Sequence, residues 1–263
     1  MDLGLKDRVA LVAAASQGLG KAAALGLARE GAKLALCART ESTLLAAAEE
    51  IARETGAEVL ARSVDVTDYQ QVRGFVAETA QRFGRVDICV ANAGGPPSKL
   101  FAETTLEDWR AATQLNLMST LHLAKETLPL MRERRWGRFI AITSVAVKQP
   151  LAGLVLSNSV RSAVSGLVKT LANEYGPHNV LVNNVCPGFT GTDRLMDLAH
   201  ALAAREGATT EAIEERWARE IPLGRIGRPE EFADLVVFLA SERASYITGA
   251  SIAIDGGFVK GLY

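Results

Sequence analysis

Short, almost continuously apolar runs alternate with longer amphipathic ones along this whole chain, and that rhythm leaves few folds open. Arg8–Ala14, Lys33–Cys37, Glu58–Val64, Val86–Ala91, Arg138–Ser144, Val180–Cys186 and Ser251–Asp255 read as strands. They lack the polar alternation of a half-solvated sheet, as strands covered on both faces do. Between them Leu19–Glu30, Ser42–Thr55, Asp68–Phe83, Leu106–Arg134, Leu154–Tyr175 and Pro229–Leu239 read as helices. Asp68 and Ser42 suit N-caps, Gly31, Gly56, Gly84 and Gly176 suit helix ends, and Pro229 suits a first turn. Strict β–α alternation implies an α/β fold, a doubly wound parallel sheet with helices on both faces. No break in composition marks a second domain, so residues 1–263 are expected to form one.

One segment departs from the rhythm. Thr192 to Pro222 is long, helical in pattern and rich in Ala, Arg and Glu, and it falls between the last two strands. An insertion of this length beside strand ends reads as a lid over a binding site, at about residues 192–222. Ala199, Leu202 and Ala203 give it an apolar face, and Trp217 is expected either to face the pocket or to pack the lid.

Charge and cysteine content exclude several classes. Net charge is −1 with no long basic run, which argues against a nucleic-acid partner. Arg132, Arg134, Arg135 and Arg138 read as a solvated helix end. Cys37, Cys89 and Cys186 are scattered through apolar runs; they suggest buried free thiols rather than a disulfide framework or a metal site. Met1 to Asp7 is short and polar, and no apolar run long enough to span a bilayer follows, so a cytoplasmic location is expected. His122, His178 and His200 are dispersed and form no recognisable triad.

The first strand runs into Ala14-Ala15-Ser16-Gln17-Gly18-Leu19-Gly20, which opens directly into a helix. Gly18 and Gly20 let backbone approach a pyrophosphate whose charge then sits at the helix N-terminus, and Ala23 completes a G-x-G-x-x-A spacing. About twenty residues on, the second strand ends Cys37-Ala38-Arg39-Thr40. An acid there would hold a ribose 2′-hydroxyl; Arg39 instead suits a 2′-phosphate, so NADP is favoured over NAD.

With these motifs, the chain resembles the short-chain dehydrogenase/reductase family over essentially its whole length, nearest to its bacterial 3-oxoacyl-(acyl-carrier-protein) reductase branch. Ala13 and Ala14 stand for the Thr and first Gly of the family's T-G-x-x-x-G-x-G turn, while Gly18 and Gly20 are kept. By the same resemblance Asp65-Val66 contacts the adenine, Asn92-Ala93-Gly94 ends the fourth strand beside the cofactor, and Asn116 is the structural and proton-relay Asn. Ser144 is the Ser that hydrogen-bonds the substrate oxygen, and Pro187-Gly188-Phe189-Thr190-Gly191-Thr192 holds the nicotinamide carboxamide. Thr248-Gly249 with Asp255-Gly256-Gly257 fits the closing strand. The resemblance implies a Rossmann-type seven-stranded sheet, a small carbonyl or hydroxy substrate and a homotetramer; from the cysteine spacing and the lack of a membrane-length apolar run, neither a metal nor a membrane is expected.

The resemblance fails at one place. Most of the family carries Tyr-x-x-x-Lys on the fifth helix; here Ser157 and Arg161 occupy those positions, thirteen and seventeen residues after Ser144. The family's Tyr protonates the product oxygen, with its pKa lowered by the Lys. A Ser hydroxyl is a far poorer acid and is several ångströms shorter. Arg161 can still bind the nicotinamide ribose and stabilise an oxyanion, but it does not release a proton at neutral pH. Three readings follow. The chain is a reductase of a ketone or 3-oxoacyl group with an atypical donor, water or a side chain, of which Lys148 is nearest in sequence. Or it is an inactive dinucleotide-binding protein, a redox sensor or assembly partner. Or it polarises a carbonyl for another reaction. The first is favoured, because simple decay would not be expected to keep a cation at 161 and hydroxyls at both Ser144 and Ser157.

Overall fold

The computed structural model describes residues 2–262. Strands β1 (Val9–Ala13), β2 (Lys33–Ala38), β3 (Val59–Ser63), β4 (Ile88–Ala91), β5 (Gly137–Ile142), β6 (Val180–Pro187) and β7 (Ser251–Ile254) form one parallel sheet. Its order is β3-β2-β1-β4-β5-β6-β7. Winding therefore reverses between β1 and β4, and in such sheets a crevice opens beyond the carboxyl ends of the strands at that point. The helices described are α1 (Gly18–Arg29), α2 (Glu41–Thr55), α3 (Tyr69–Phe83), α4 (Leu106–Ala112), α5 (Ser119–Glu133), α6 (Val155–Tyr175), α7 (Asp193–Glu206), α8 (Thr210–Glu220) and α9 (Pro229–Ala240).

The period-two alternation of each strand divides the core in two. Ala10 and Val12 of β1 face α1, α2 and α9 through Leu27, Leu44, Ile51 and Val236. Leu11 and Ala13 face α3, α5 and α6 through Phe75, Leu128 and Val164. Both faces of the inner strands are covered, which is why their sequences show no polar alternation; the edge strands β3 and β7 are only partly buried. All three cysteines are buried free thiols. Burial pushes the Cys37 thiol up to about 12 and raises those of Cys89 and Cys186, so none is poised as a nucleophile.

The seven strands lie where the sequence pattern puts them, but several local expectations need correction. Asp68 caps α3, accepting from the backbone of Gln70 and Gln71. Ser42 is already inside α2, whose N-cap is Thr40. Gly56 and Gly84 take the left-handed conformation expected of helix ends, but Gly176 does not (φ −52°); Asn179 turns the chain instead, at φ 59°. Arg138 belongs to no solvated helix end. It is buried in β5, with its guanidinium 4.2 Å from the Trp136 ring and Arg8 on the same ring at 3.7 Å. Glu242 accepts from Arg8, Arg138 and the Trp136 indole, which supplies the charge that two stacked cations require.

The helix read across Leu106–Arg134 is not continuous. Between α4 and α5, Thr113–Met118 winds as a π-helix, with Ser119 N–H reaching back to Gln114. A π turn carries one residue more than an α turn, and it recurs at functional sites. Here it carries Asn116, which is buried.

Candidate active site

A cavity of about 520 Å³ lies along the carboxyl ends of the strands, reaching from Arg39 after β2 to Phe189 after β6. At its centre is the turn after β1. Ala14 takes φ +50° and Gly18 φ +56°. Alanine at the first position of this turn thus adopts the left-handed backbone that glycine accepts freely, at a cost of roughly 1–2 kcal/mol. Ala14→Gly is expected to stabilise the protein by about 0.5–1 kcal/mol, after the extra unfolded-state freedom of glycine is subtracted. A urea midpoint that falls instead would show that the methyl group packs better than its backbone strain costs.

Gly20 has no such freedom to change. A Cβ there would collide with the Ala14 carbonyl and press on the Asn92 amide. The N-cap of α1, Gln17, makes no side-chain cap, and the first turn carries no acid. The exposed N–H groups and the dipole of α1 therefore have no anion of the chain's own to meet, which is the arrangement a pyrophosphate fits. Ser16, Gly18 and Leu19 line the cavity here.

At the cavity's far end, Arg39 is exposed and enters no ion pair among the described residues. Asp65 and Val66 form the adjoining wall; Asp65 accepts from the backbone and hydroxyl of Thr67 at 2.9 and 2.8 Å. Asn92, Ala93 and Gly94 form the floor after β4, and Pro187, Gly188, Thr190 and Thr192 the opposite wall after β6. Thr192 also caps α7. The donor set, with a bare helix N-terminus, a free guanidinium and small residues between them, fits a dinucleotide bearing a 2′-phosphate.

The remaining end holds Ser144, Ser157 and Arg161. Ser144 follows β5 and accepts from the Ala146 backbone at 3.1 Å. Ser157 and Arg161 lie one turn apart in α6 and so share a face. Ser157 is 8% exposed, and its hydroxyl makes no hydrogen bond among the described residues. Asn158 holds the loop above by a reciprocal pair of bonds to the Leu151 backbone, at 3.2 and 2.9 Å.

Arg161 does something the sequence does not disclose. Its Nη1 donates to the carbonyls of Ile142 (3.1 Å) and Thr143 (3.0 Å), and its Nη2 to that of Gly94 (3.1 Å). The guanidinium thus ties the ends of β4 and β5 together. Burial, and secondarily the nearby charge of Arg194, lowers its pKa to about 10. Three of its five N–H donors are spent, leaving Nε–H and one N–H of Nη2. Asn116 meets the same floor, donating to Gly94 O at 2.8 Å, while its Oδ1 is buried with no partner.

Lys148 is half-buried just beyond the short turn Val145–Val147; it does not line the cavity wall, although its charge is felt at Cys186, which lies beside Thr143. Lys99 is a structural residue, paired with Asp108 at 2.7 Å. That contact, with the backbone and hydroxyl of Thr105, holds the Asp108 carboxyl down at about 2. Trp217 packs within the insertion, stacked on Phe189 at 4.9 Å. Leu195, Ala199, Ala203 and Ile213 complete that small core between α7 and α8.

Arg194, which belongs to no motif of the sequence, also lines the cavity. From the first turn of α7 its Nη2 reaches the Pro96 carbonyl at 2.8 Å. A signal was available. A cation in a helix's first turn opposes the helix dipole, so a local reason for it is lacking.

The fold and this cavity define a Rossmann-type dinucleotide-binding protein. The family described as enoyl-(acyl carrier protein) reductase matches residues 13–259, and the chain belongs to the short-chain dehydrogenase/reductase family. It is 35% identical over 257 residues to a 3-oxoacyl-[acyl-carrier-protein] reductase of Aquifex aeolicus, covering 98% of this chain and 99% of that one. It is 32% identical to an NADPH-dependent reductase of Bacillus subtilis, covering 98% and 100%. Among solved structures, L-sorbose reductase of Gluconobacter frateurii, in complex with NADPH and L-sorbose, superposes with a TM-score of 0.95 at 35% identity over the full length of both chains.

Proposed function

We propose that this protein is an NADP-dependent reductase of a ketone or 3-oxoacyl group that works without a side-chain phenol as proton donor. The observation that carries the reading is the continuity of one cavity. It joins a phosphate-binding turn and the free Arg39 at one end to Ser144, Ser157 and a buried cation at the other. NADPH, when bound, supplies the hydride. Ser16, Gly18, Leu19 and Gly20 would hold its pyrophosphate, Arg39 its 2′-phosphate and Asp65-Val66 its adenine. Pro187, Gly188, Thr190 and Thr192 flank the nicotinamide end. The hydroxyls of Ser144 and Ser157 hold the substrate oxygen, and the fixed charge of Arg161 stabilises negative charge developing there. The cavity wall beside the two hydroxyls carries no carboxyl, phenol or imidazole, and we take the proton to come from water. The insertion formed by α7 and α8 is the lid of this site.

Titration by protein fluorescence with NADPH and NADH tests the reading. NADPH is expected to bind more tightly, and Arg39→Ala to weaken NADPH about 10–100-fold while leaving NADH nearly unchanged, since charged hydrogen bonds contribute about 1.5–3 kcal/mol. If neither cofactor binds at millimolar concentration, the reading has no basis.

A second reading is favoured by one observation: three N–H groups of Arg161 are committed to main-chain carbonyls, as in a structural brace. On that reading the protein binds the dinucleotide as a redox sensor or assembly partner and turns nothing over. Tight NADPH binding with no reduction across a broad carbonyl panel would establish it against the first.

A further inference from the structure

Two guanidinium groups line the substrate end of the cavity, the buried Arg161 and the exposed Arg194, and the partners of both among the described residues are main-chain carbonyls rather than carboxylates. Arg161 is 7% exposed, and its partners are carbonyl dipoles, which soften its charge without cancelling it. Buried charges in proteins are ordinarily paired. Arg194 leans across the opening from α7, with its guanidinium against Gly95 and one bond to the Pro96 carbonyl. Asp197, three residues further along α7, is not its partner. Two acids touch the cavity, and neither neutralises the pair. Asp65 is at the adenine end and occupied by Thr67, and Asp193 is exposed at the start of α7.

The cofactor's own anions are provided for elsewhere. Its pyrophosphate has the bare N-terminus of α1, and its 2′-phosphate has Arg39 on the β2 side. Arg161 and Arg194 act on the β4 and β5 side, against Gly94, Gly95 and Pro96. The walls beside them are apolar: Leu151, Leu154, Phe189, Leu195 and Leu198. The mutual repulsion of the two cations is felt at Arg161, where Arg194 adds to burial in lowering the pKa. A neutral substrate would leave the buried charge of Arg161 without an anion, while Arg194, exposed at the start of α7, would meet solvent.

We propose that Arg194, with the unspent N–H edge of Arg161, forms a carboxylate-binding subsite, so that the substrate is an oxo acid with an apolar body rather than a neutral ketone or a thioester. The proposal rests on the reductase reading and narrows its substrate class. A guanidinium fork matches a carboxylate in two parallel hydrogen bonds, a recognition that lysine does not reproduce. Docking there gives Arg194 the anion that its place in the first turn of α7 denies it.

Calorimetric titration tests this without turnover. The probes are 3-oxobutanoate, 4-oxopentanoate and 4-methyl-2-oxopentanoate, each against its methyl ester, added to the protein alone and to the protein saturated with NADPH. At least one acid is expected to bind ten times or more tighter than its ester. Arg194→Ala should reduce that preference to less than about threefold, and Arg194→Lys should restore it only in part. Affinity for NADPH, measured separately, should change less than about threefold in Arg194→Ala. Equal binding of acids and esters in both states overturns the proposal, as does a preference that survives Arg194→Ala. A tenfold loss of NADPH affinity in that variant also overturns it, since Arg194 would then serve the cofactor's phosphates. Arg161→Met, if it folds, should weaken the same acid by a further factor. Failure of NADPH to bind counts against the reductase reading alone, because the acid–ester comparison is also made on the protein without cofactor.

Discussion

Replacing Ser157 by Tyr and Arg161 by Lys in the same protein raises the rate of NADPH-dependent ketone reduction by about 10²–10⁴-fold, the usual contribution of a positioned general acid. The argument begins with acidity. When hydride reaches a carbonyl carbon, the oxygen becomes an alkoxide, and a serine hydroxyl, about as weak an acid as the alcohol being formed, transfers its proton with little driving force. A phenol beside an ammonium is a far stronger acid, because the nearby cation favours the phenolate and lowers its pKa. Geometry agrees. Ser157 lies in the first turn of α6 with its side chain on the cavity, so a longer side chain there extends toward the space that Ser144 also borders. Lysine at 161, one turn on, stands beneath it with three donors in place of the guanidinium fork. Ser157→Tyr alone should recover part of the effect, since Arg161 still supplies positive charge, and Arg161→Lys alone should recover none. The measurement is steady-state oxidation of NADPH with a panel of oxo acids and ketones, on variants whose NADPH affinity has been checked. A double variant that folds, binds NADPH and is no faster than the parent would show that the proton donor is not what limits this site.

The particular residues show how much of this could be read from sequence. The sheet was legible because its inner strands β1, β2, β4, β5 and β6 are buried on both faces, so apolar runs mark them, and the alternation of helices makes the sheet parallel; the edge strands β3 and β7 are only partly covered. The phosphate turn was legible because its requirements are local: glycine at φ +56° at Gly18 and no room for a Cβ at Gly20. What sequence could not supply is where long side chains end. Arg138 follows three other arginines and resembles them, yet it is inserted between Trp136 and Glu242, 104 residues away in the chain. Asn116 reaches Gly94 through a π turn that no spacing announces. Lys148 is near Ser144 in number but not in the cavity wall, and Arg194 is remote in number yet inside it. Arg161 is the sharpest case. Its spacing fixed its position on α6, but only the fold shows that it spends its donors on the ends of two strands.

That bracing role gives the second large effect. Arg161→Met removes the donors from the Ile142 and Thr143 carbonyls, while the Gly94 carbonyl keeps the Asn116 amide. Leaving a buried carbonyl without its partner costs about 1–3 kcal/mol. Against this, the buried guanidinium carries its own desolvation cost, the cause that lowers its pKa to about 10, and methionine has none. The carbonyl loss dominates, because methionine matches the length of the stem but offers nothing to either oxygen. The net expectation is a loss of about 2 kcal/mol, or roughly 4–8 °C in Tm for a chain of this size. NADPH affinity should fall as well, since Gly94 and Thr143 line the floor on which the nicotinamide half would rest and Arg161 ties them together. Arg161→Lys should lie between the parent and Arg161→Met on both scales, with three donors that reach fewer of the carbonyls. Thermal unfolding and a fluorescence titration with NADPH measure the two effects on the same preparations. Unchanged stability in Arg161→Met would mean that the three carbonyl bonds only offset the cost of burying the charge. Unchanged NADPH affinity would remove Arg161 from the cofactor site and leave it the anion and the substrate alone.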